Sequence, residues 1–410
     1  MHPNRQAFAR EQLRLPLGVP RRPARPRPLV ALLLVPVVLA ACTVDGRPLD
    51  SGLDADLDGA GEVDGAIAPG LLRVVFFDVG TGDAILVQSP SGRTLLVDLG
   101  IPQVVADGHE ADAARHVVER VAAYTGRGRV DYFLASHYHT DHVGAFGSGG
   151  ASFGGIAWAA ESGGLEIGTL LDRGRTPAGD SDSQVDYLRW AENHADRRVI
   201  DRAGAEFIDL GPGVTVDVVA APGAGVAPEG SGENGFSIAL RVTFGDLEIS
   251  LAGDLTGDCD DGVVDVETRV ASVMGAVEVY KVNHHGSQSS SNLSWVRALH
   301  PQVAVFSLGS SRFGYPHERT VAALGAVADL FYTRDGDVVL ESADGRSYTV
   351  GGRSYAARTE AEEVVLPDPS IGVDEKSDAL CRNGRDDDRD GYTDCSDWSC
   401  SRCPGVTVCP

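Results

Sequence analysis

Lysine is almost missing from this chain: Lys281 and Lys376 are the only two in 410 residues, so nearly all positive charge is arginine. Positive charge as a whole is scarce, with 35 Lys and Arg against 59 Asp and Glu and a formal net charge of −24. Residues 1–42 hold seven of the arginines and one acid, Glu11, so the remainder is more acidic still. A surface of that sign repels phosphate backbones at long range and argues against tight, extended nucleic-acid binding. A small phosphate ester, or a nucleic-acid end held by metal ions, remains compatible with it. Long apolar runs are lacking too. The run over residues 29–41 has about 13 residues, short of the roughly 20 that a membrane-spanning helix needs. Without a set of such helices the chain has no transmembrane channel of its own.

What stands at the N-terminus reads as an address. Arg21, Arg22, Arg25 and Arg27 precede the apolar run, which ends Leu39-Ala40-Ala41-Cys42. Basic region, apolar core and small residues before cysteine resemble a bacterial lipoprotein signal. The expectation is a signal peptide over residues 1–42, a lipid anchor at Cys42 and an exported protein on a bacterial membrane, facing the periplasm or the cell exterior. An ordinary cleaved signal or a short membrane anchor is the alternative. Residues 43–69 hold seven acids, one Arg and many small residues, a composition that reads as an acidic disordered tether. The other six cysteines are Cys259 and the group Cys381, Cys395, Cys400, Cys403 and Cys409. An even number suits disulfides in an oxidising compartment, with 15 pairings open.

The body of the chain alternates strand and helix patterns. Residues 71–79, 84–88 and 94–98 read as strands, with a Ser89-Pro90-Ser91-Gly92 turn between the last two. Apolar spacing predicts helices over 111–124, 183–197 and 319–330, and strands over 130–135, 214–219, 237–244, 247–251, 277–282, 303–308, 331–333 and 338–341. Hairpins first, then mixed strands and helices, then the pattern repeated, suit an α+β chain folded as an αββα four-layer sandwich. Its expected bounds are 71–350. A linker over 351–380 and a Cys- and Asp-rich module over 381–410 follow.

The densest chemistry is Ser136-His137-Tyr138-His139-Thr140-Asp141-His142, directly after a buried strand pattern. Three imidazoles and a carboxylate in six residues suit a zinc, manganese or iron site. His137-Tyr-His139-Thr-Asp141-His142 resembles the HxHxDH signature of the metallo-β-lactamase superfamily. Within it, the pattern is similar to the hydrolase domain of the ComEC competence-protein family. Residues 77–84 (FDVGTGDA), 97–100 (VDLG), 251–254 (LAGD), 281–287 (KVNHHGS) and 312–317 (RFGYPH) resemble that group's further motifs, in the expected order.

The resemblance implies two divalent metal ions, zinc or manganese. His137 and His139 would hold the first. Asp141 and His142 would hold the second, and Asp254 would bridge them. One of His284 and His285 would complete the second site; His285 is preferred by its distance past the strand, with His284 packing or bonding behind it. Asp78, Asp83 and Asp98 would orient the imidazoles from behind. Asp141 would orient the attacking water or take its proton, and His317 would contact a phosphate or protonate a leaving group. Lys281 reads equally as a phosphate contact and as a strand residue whose tip reaches water, and the serines after His285 read as a polar loop at the cleft. One departure matters. Many superfamily members supply a middle histidine to the first metal, and here only His194 lies between His142 and His284. At that place the chain has Glu233-Asn234-Gly235-Phe236-Ser237.

The function so implied is a phosphodiesterase or nuclease that uses a metal-activated water on a small-molecule or nucleic-acid phosphodiester. The alternatives are hydrolysis of a carboxylic ester, amide or phosphorylcholine ester, or a catalytically impaired binding protein on the same fold. In the tail, Asp386, Asp388 and Asp390 followed by Gly391 match the opening of a calcium loop, so calcium is expected there.

Overall fold

The computed structural model describes residues 70–146, 152–175, 182–222, 232–258, 264–359, 372, 374–388, 392–403 and 406–409. The expected signal segment with Cys42, the tether, Cys259, Asp390 and most of residues 360–373 lie outside them.

The first half of the chain builds one sheet. Its strands are β1 (Leu72–Phe76), β2 (Ala84–Gln88), β3 (Thr94–Leu99), β4 (Arg129–Leu134), β5 (Glu166–Asp172) and β6 (Arg197–Val199). A second sheet follows: β7 (Val214–Ala220), β8 (Ala239–Phe244), β9 (Leu247–Leu251), β10 (Val279–Lys281), β11 (Val303–Phe306) and β12 (Asp329–Tyr332). The chain then returns to the first sheet with β13 (Val338–Ser342), β14 (Ser347–Val350) and β15 (Arg353–Ala356). Strand order is β15-β14-β13-β1-β2-β3-β4-β5-β6 in one sheet and β12-β11-β10-β9-β8-β7 in the other.

Three apolar layers make this the expected αββα sandwich. Val74, Phe76, Val97, Val216, Leu240, Ile249 and Val305 meet between the sheets. The intervening residues of the same strands, such as Val75, Leu86 and Leu96, turn outward against α1 (Asp112–Thr125), α3 (Gly155–Glu161) and α4 (Asp182–Ala191). The second sheet is covered by α5 (Glu267–Met274), α6 (Leu293–Leu299) and α7 (Glu318–Gly325) through Val270, Trp295 and Leu324. Strands buried on both faces must be apolar at successive positions, which is why β1 reads LRVVF.

Two expected helices are shorter than their patterns. The pattern over 183–197 gives a helix only to Ala191, because Arg197 leaves to pair in β6 and to bind Asp172 at 2.7 and 2.8 Å. The pattern over 319–330 ends at Gly325, and Asp329–Tyr332 instead pairs parallel with β11. A parallel pairing outranks local helix propensity at such ends. Strand β5 and helix α6 had no clear sequence pattern.

The sheets matter for function because β3 and β4 are parallel to each other, as are β9, β10 and β11. Their C-terminal ends carry Asp98, the His137–His142 turn, Asp254 and the His284–His285 pair, and ligand sites in such sheets gather at those ends.

Candidate metal centre

In the turn after β4, His137 Nε2 and His139 Nδ1 lie 3.1 Å apart on one side, and a single helical turn, α2 (Thr140–Val143), then turns Asp141 and His142 inward. Behind α2, Gly144 at φ 91° passes so close to Gly154 that a Cβ would meet that carbonyl oxygen at 2.3 Å. Only glycine fits there.

Asp254, 1 % exposed, stands at the centre. Its Oδ1 lies 3.2 Å from His142 Nε2 and 3.6 Å from His285 Nε2. Its Oδ2 lies 3.9 Å from His137 Nε2 and 3.7 Å from His284 Nε2. Asp141 Oδ2 is 3.5 Å from His285 Nε2. Donor atoms of His137, His139 and Asp254 fall within 4.8 Å of one another, as do those of Asp141, His142 and His285. His142 Nε2, His285 Nε2 and Asp254 Oδ1 are buried and make no hydrogen bond. Leaving such groups bare costs about 1–3 kcal/mol each, and a divalent cation between them satisfies all three.

Charge gives the same answer. Burial is the largest effect on His142 and His285 and opposes their positive form, yet the surrounding carboxylates together, Asp254 with Asp98 at His142 and Asp254 with Asp141 and Asp83 at His285, outweigh it and raise both imidazoles. Burial likewise opposes charge on Asp141 and Asp254, and the neighbouring histidines overcome it and hold both carboxyls below the usual range. The pocket therefore demands cations. His137 is pushed down by burial and stays neutral, as a ligand must.

The imidazoles are oriented from behind. Asp98 accepts from Ser136 N–H and Oγ–H at 2.7 Å each and from His142 Nδ1 at 2.9 Å. His285 Nδ1 donates to Ser307 O at 2.9 Å. Both rings thus present Nε2 to the pocket. Asp98→Ala is expected to weaken metal binding about 10- to 100-fold; calorimetric titration checks this, and an unchanged affinity would remove Asp98 from the site. Asp83 lies 3.6 Å from His142 Nδ1 and 3.8 Å from His285 Nδ1.

Other expected residues stand elsewhere. Asp78 accepts from Gly80 N–H at 3.2 Å and serves as a turn cap rather than an imidazole partner. His317 uses Nδ1 to accept from Arg319 N–H at the start of α7, and Tyr315 from the same loop reaches the cluster, with its hydroxyl 3.2 Å from His284 Nε2. His194 lies in the turn after α4, where its backbone N–H donates to Ala191 O at 3.0 Å. Lys281 neither contacts solvent nor reaches toward it: it is fully buried, ion-paired with Asp83 and bonded to Gly253 O at 3.0 Å.

Several contacts were not legible in the sequence. Gln103 donates to Asp141 Oδ2 at 2.9 Å and accepts from Ser311 at 3.1 Å. Glu233 takes the Tyr138 N–H at 2.7 Å and both its oxygens bind Arg173, fixing the segment that carries Asn234 beside the histidine turn. Each such pair joins distant segments, which local spacing does not mark.

Glu267 braces the His284–His285 loop from outside. Its buried carboxyl accepts from Asn283 Nδ2 at 2.7 Å, Ser291 N–H at 2.7 Å and Asn292 N–H at 2.8 Å. Burial pushes it from the ordinary 4.5 up to about 8. Because the folded state binds this proton more tightly, its stabilising effect is present below pH 4.5 and is lost as pH rises toward about 8. The unfolding temperature should fall across that window and fall less in Glu267→Gln; equal slopes in the two proteins would contradict this.

In the tail, disulfides join Cys381 to Cys400 and Cys395 to Cys409, and Cys403 is also disulfide-bonded. Asp386 and Asp388 come together with Glu375, a residue outside the expected calcium loop. Asp388 is also paired with Arg319 at 2.5 Å, which ties the tail to α7.

Residues 77–310, more than half of the chain, match the family described as the metallo-beta-lactamase superfamily. Among curated proteins, ComE operon protein 3 of Bacillus subtilis (strain 168) is 29% identical over 99 residues, 24% of this chain and 12% of that protein. Competence protein ComA of Neisseria gonorrhoeae is 25% identical over 249 residues, 60% of this chain and 28% of that one. The chain thus spans less than a third of the curated relatives it matches. Among solved structures, CmlA, a diiron beta-hydroxylase from Streptomyces venezuelae, aligns over 66% of this chain and 54% of its own at 14% identity, with a TM-score of 0.39.

Proposed function

This chain belongs to the metallo-beta-lactamase superfamily and carries its metal-dependent hydrolase fold; from that premise we propose that it hydrolyses a phosphodiester at a two-metal centre. The observation that carries the reading is the division of Asp254 between two donor clusters, with Oδ1 toward His142 and His285 and Oδ2 toward His137 and His284. His137, His139 and Asp254 would hold one ion; Asp141, His142, His285 and Asp254 would hold the other. Two divalent ions supply an activated water and neutralise the charge that develops on a phosphoryl group.

The protein's own part is orientation. Asp141 is held below the usual carboxyl range, so it is a weak base, and it acts by accepting a hydrogen of the attacking water and aligning it. Gln103 fixes that carboxylate. Lys281 offsets part of the charge of Asp83 and Asp254 without reaching solvent. The motif resemblance to the ComEC hydrolase domain supports a phosphodiester over a carboxylic ester, and the acidic surface favours a small ester or a chain end over a duplex.

A direct comparison of bis-p-nitrophenyl phosphate with p-nitrophenyl acetate, with added manganese or zinc, tests the substrate class. The diester should be turned over faster; preferred cleavage of the acetate would overturn it. Export and anchoring through Cys42 complete the proposal. Among the described residues no helix is long and apolar enough to cross a membrane, and Cys42→Ser should move the protein out of the membrane fraction.

A further inference from the structure

The chain lacks the middle histidine that would complete the first metal site, and His194 does not stand in for it. The geometry of the His284–His285 turn bears on that gap. Both residues lie in the left-handed region, His284 at φ 50°, ψ 41° and His285 at φ 54°, ψ 21°. Residues other than glycine adopt that conformation at a cost, and two in succession persist only where the surroundings hold them. The consequence is that the adjacent rings fan apart, with centroids 6.3 Å apart and planes at 66°. His285 Nε2 reaches Asp254 Oδ1 at 3.6 Å, and His284 Nε2 reaches Oδ2 at 3.7 Å. His137 Nε2 approaches that same Oδ2, at 3.9 Å.

We infer that His284 is the third imidazole of the first metal site, beside His137, His139 and Asp254 Oδ2, and that His285 alone serves the second. The inference rests on the metal-hydrolase reading above and deepens it. It also replaces the sequence expectation that His284 packs or bonds behind His285. His284 is suited to the part. Ser289 Oγ lies 3.3 Å from its Nδ1, which lets Nδ1–H donate and makes Nε2 the acceptor. Asn234 Nδ2 and the Tyr315 hydroxyl, each 3.2 Å from Nε2, are the contacts a bound ion would replace. Their release would put an amide and a phenol at the edge of the site, available to an ester oxygen.

The test is calorimetric titration of the metal-stripped full chain with zinc. It compares the unaltered protein, His284→Asn, His285→Asn, His137→Asn and the two double variants that pair His284→Asn with each of the others. Asparagine tolerates a left-handed backbone, and far-UV circular dichroism checks folding. His284→Asn should weaken one of two zinc ions by more than about a hundredfold, beyond the loss typical of a partner behind a ligand. It should add little on top of His137→Asn and add fully on top of His285→Asn. Retention of both ions within about threefold, or non-additivity with His285→Asn instead, would overturn the assignment. Zinc binding absent from the unaltered protein would sink the metal reading itself and this one with it.

Discussion

Asp254→Asn should lower phosphodiester turnover on the order of a thousandfold or more, since it removes the one charge both ion sites share. The expectation follows from placement. Asp254 ends the β9 segment, is 1 % exposed, and its two oxygens face four imidazoles at 3.2–3.9 Å. Asparagine keeps the size and removes the charge, so the fold should survive while both clusters lose their common anion. Metal content should fall with activity. Zinc per chain and initial rate, measured on the same preparation, give the check, and a variant with full metal content and normal turnover would show that Asp254 does not bridge.

Gly100→Ala should have the second largest effect, and it touches no ligand side chain. A Cβ at Gly100 would stand 2.0 Å from the carbonyl carbon of Asp141, 2.2 Å from its oxygen and 2.4 Å from the His142 nitrogen. These are backbone atoms, and no rotamer change can relieve the clash. The turn that carries two expected ligands must therefore shift. Overpacking of this kind costs about 1–3 kcal/mol, and a displacement of about 1 Å in a reacting constellation costs on the order of a hundredfold in rate. The variant should thus unfold at a lower temperature and lose at least that much activity. Wild-type turnover in Gly100→Ala would mean that the turn's position is unimportant.

The legibility of the chain is uneven, for physical reasons. His137, His139, Asp141 and His142 announced themselves because one loop carries them all, and Asp254 and His285 because each follows an apolar strand run. The sandwich was legible because β1, β2 and β3 are buried on both faces and so read as continuous apolar stretches. What the pattern hides is contact between distant segments. Gln103 meets Asp141, Lys281 meets Asp83, and Glu233 meets Tyr138, and nothing in local spacing marks these pairs. Asp78 misled because a turn cap and an imidazole partner look alike in sequence. His317 also starts α7, a part its place in the sequence does not mark. The parts played by His284 and His285 hinge on two backbone angles, which adjacent identical residues cannot reveal.

The central claim is a two-metal hydrolase, and metal analysis of the purified full chain alongside bis-p-nitrophenyl phosphate hydrolysis tests it most directly. The account predicts close to two divalent ions per chain, with turnover lost on chelation and restored by zinc or manganese. A chain that binds no metal, whether or not it cleaves the diester, would contradict it.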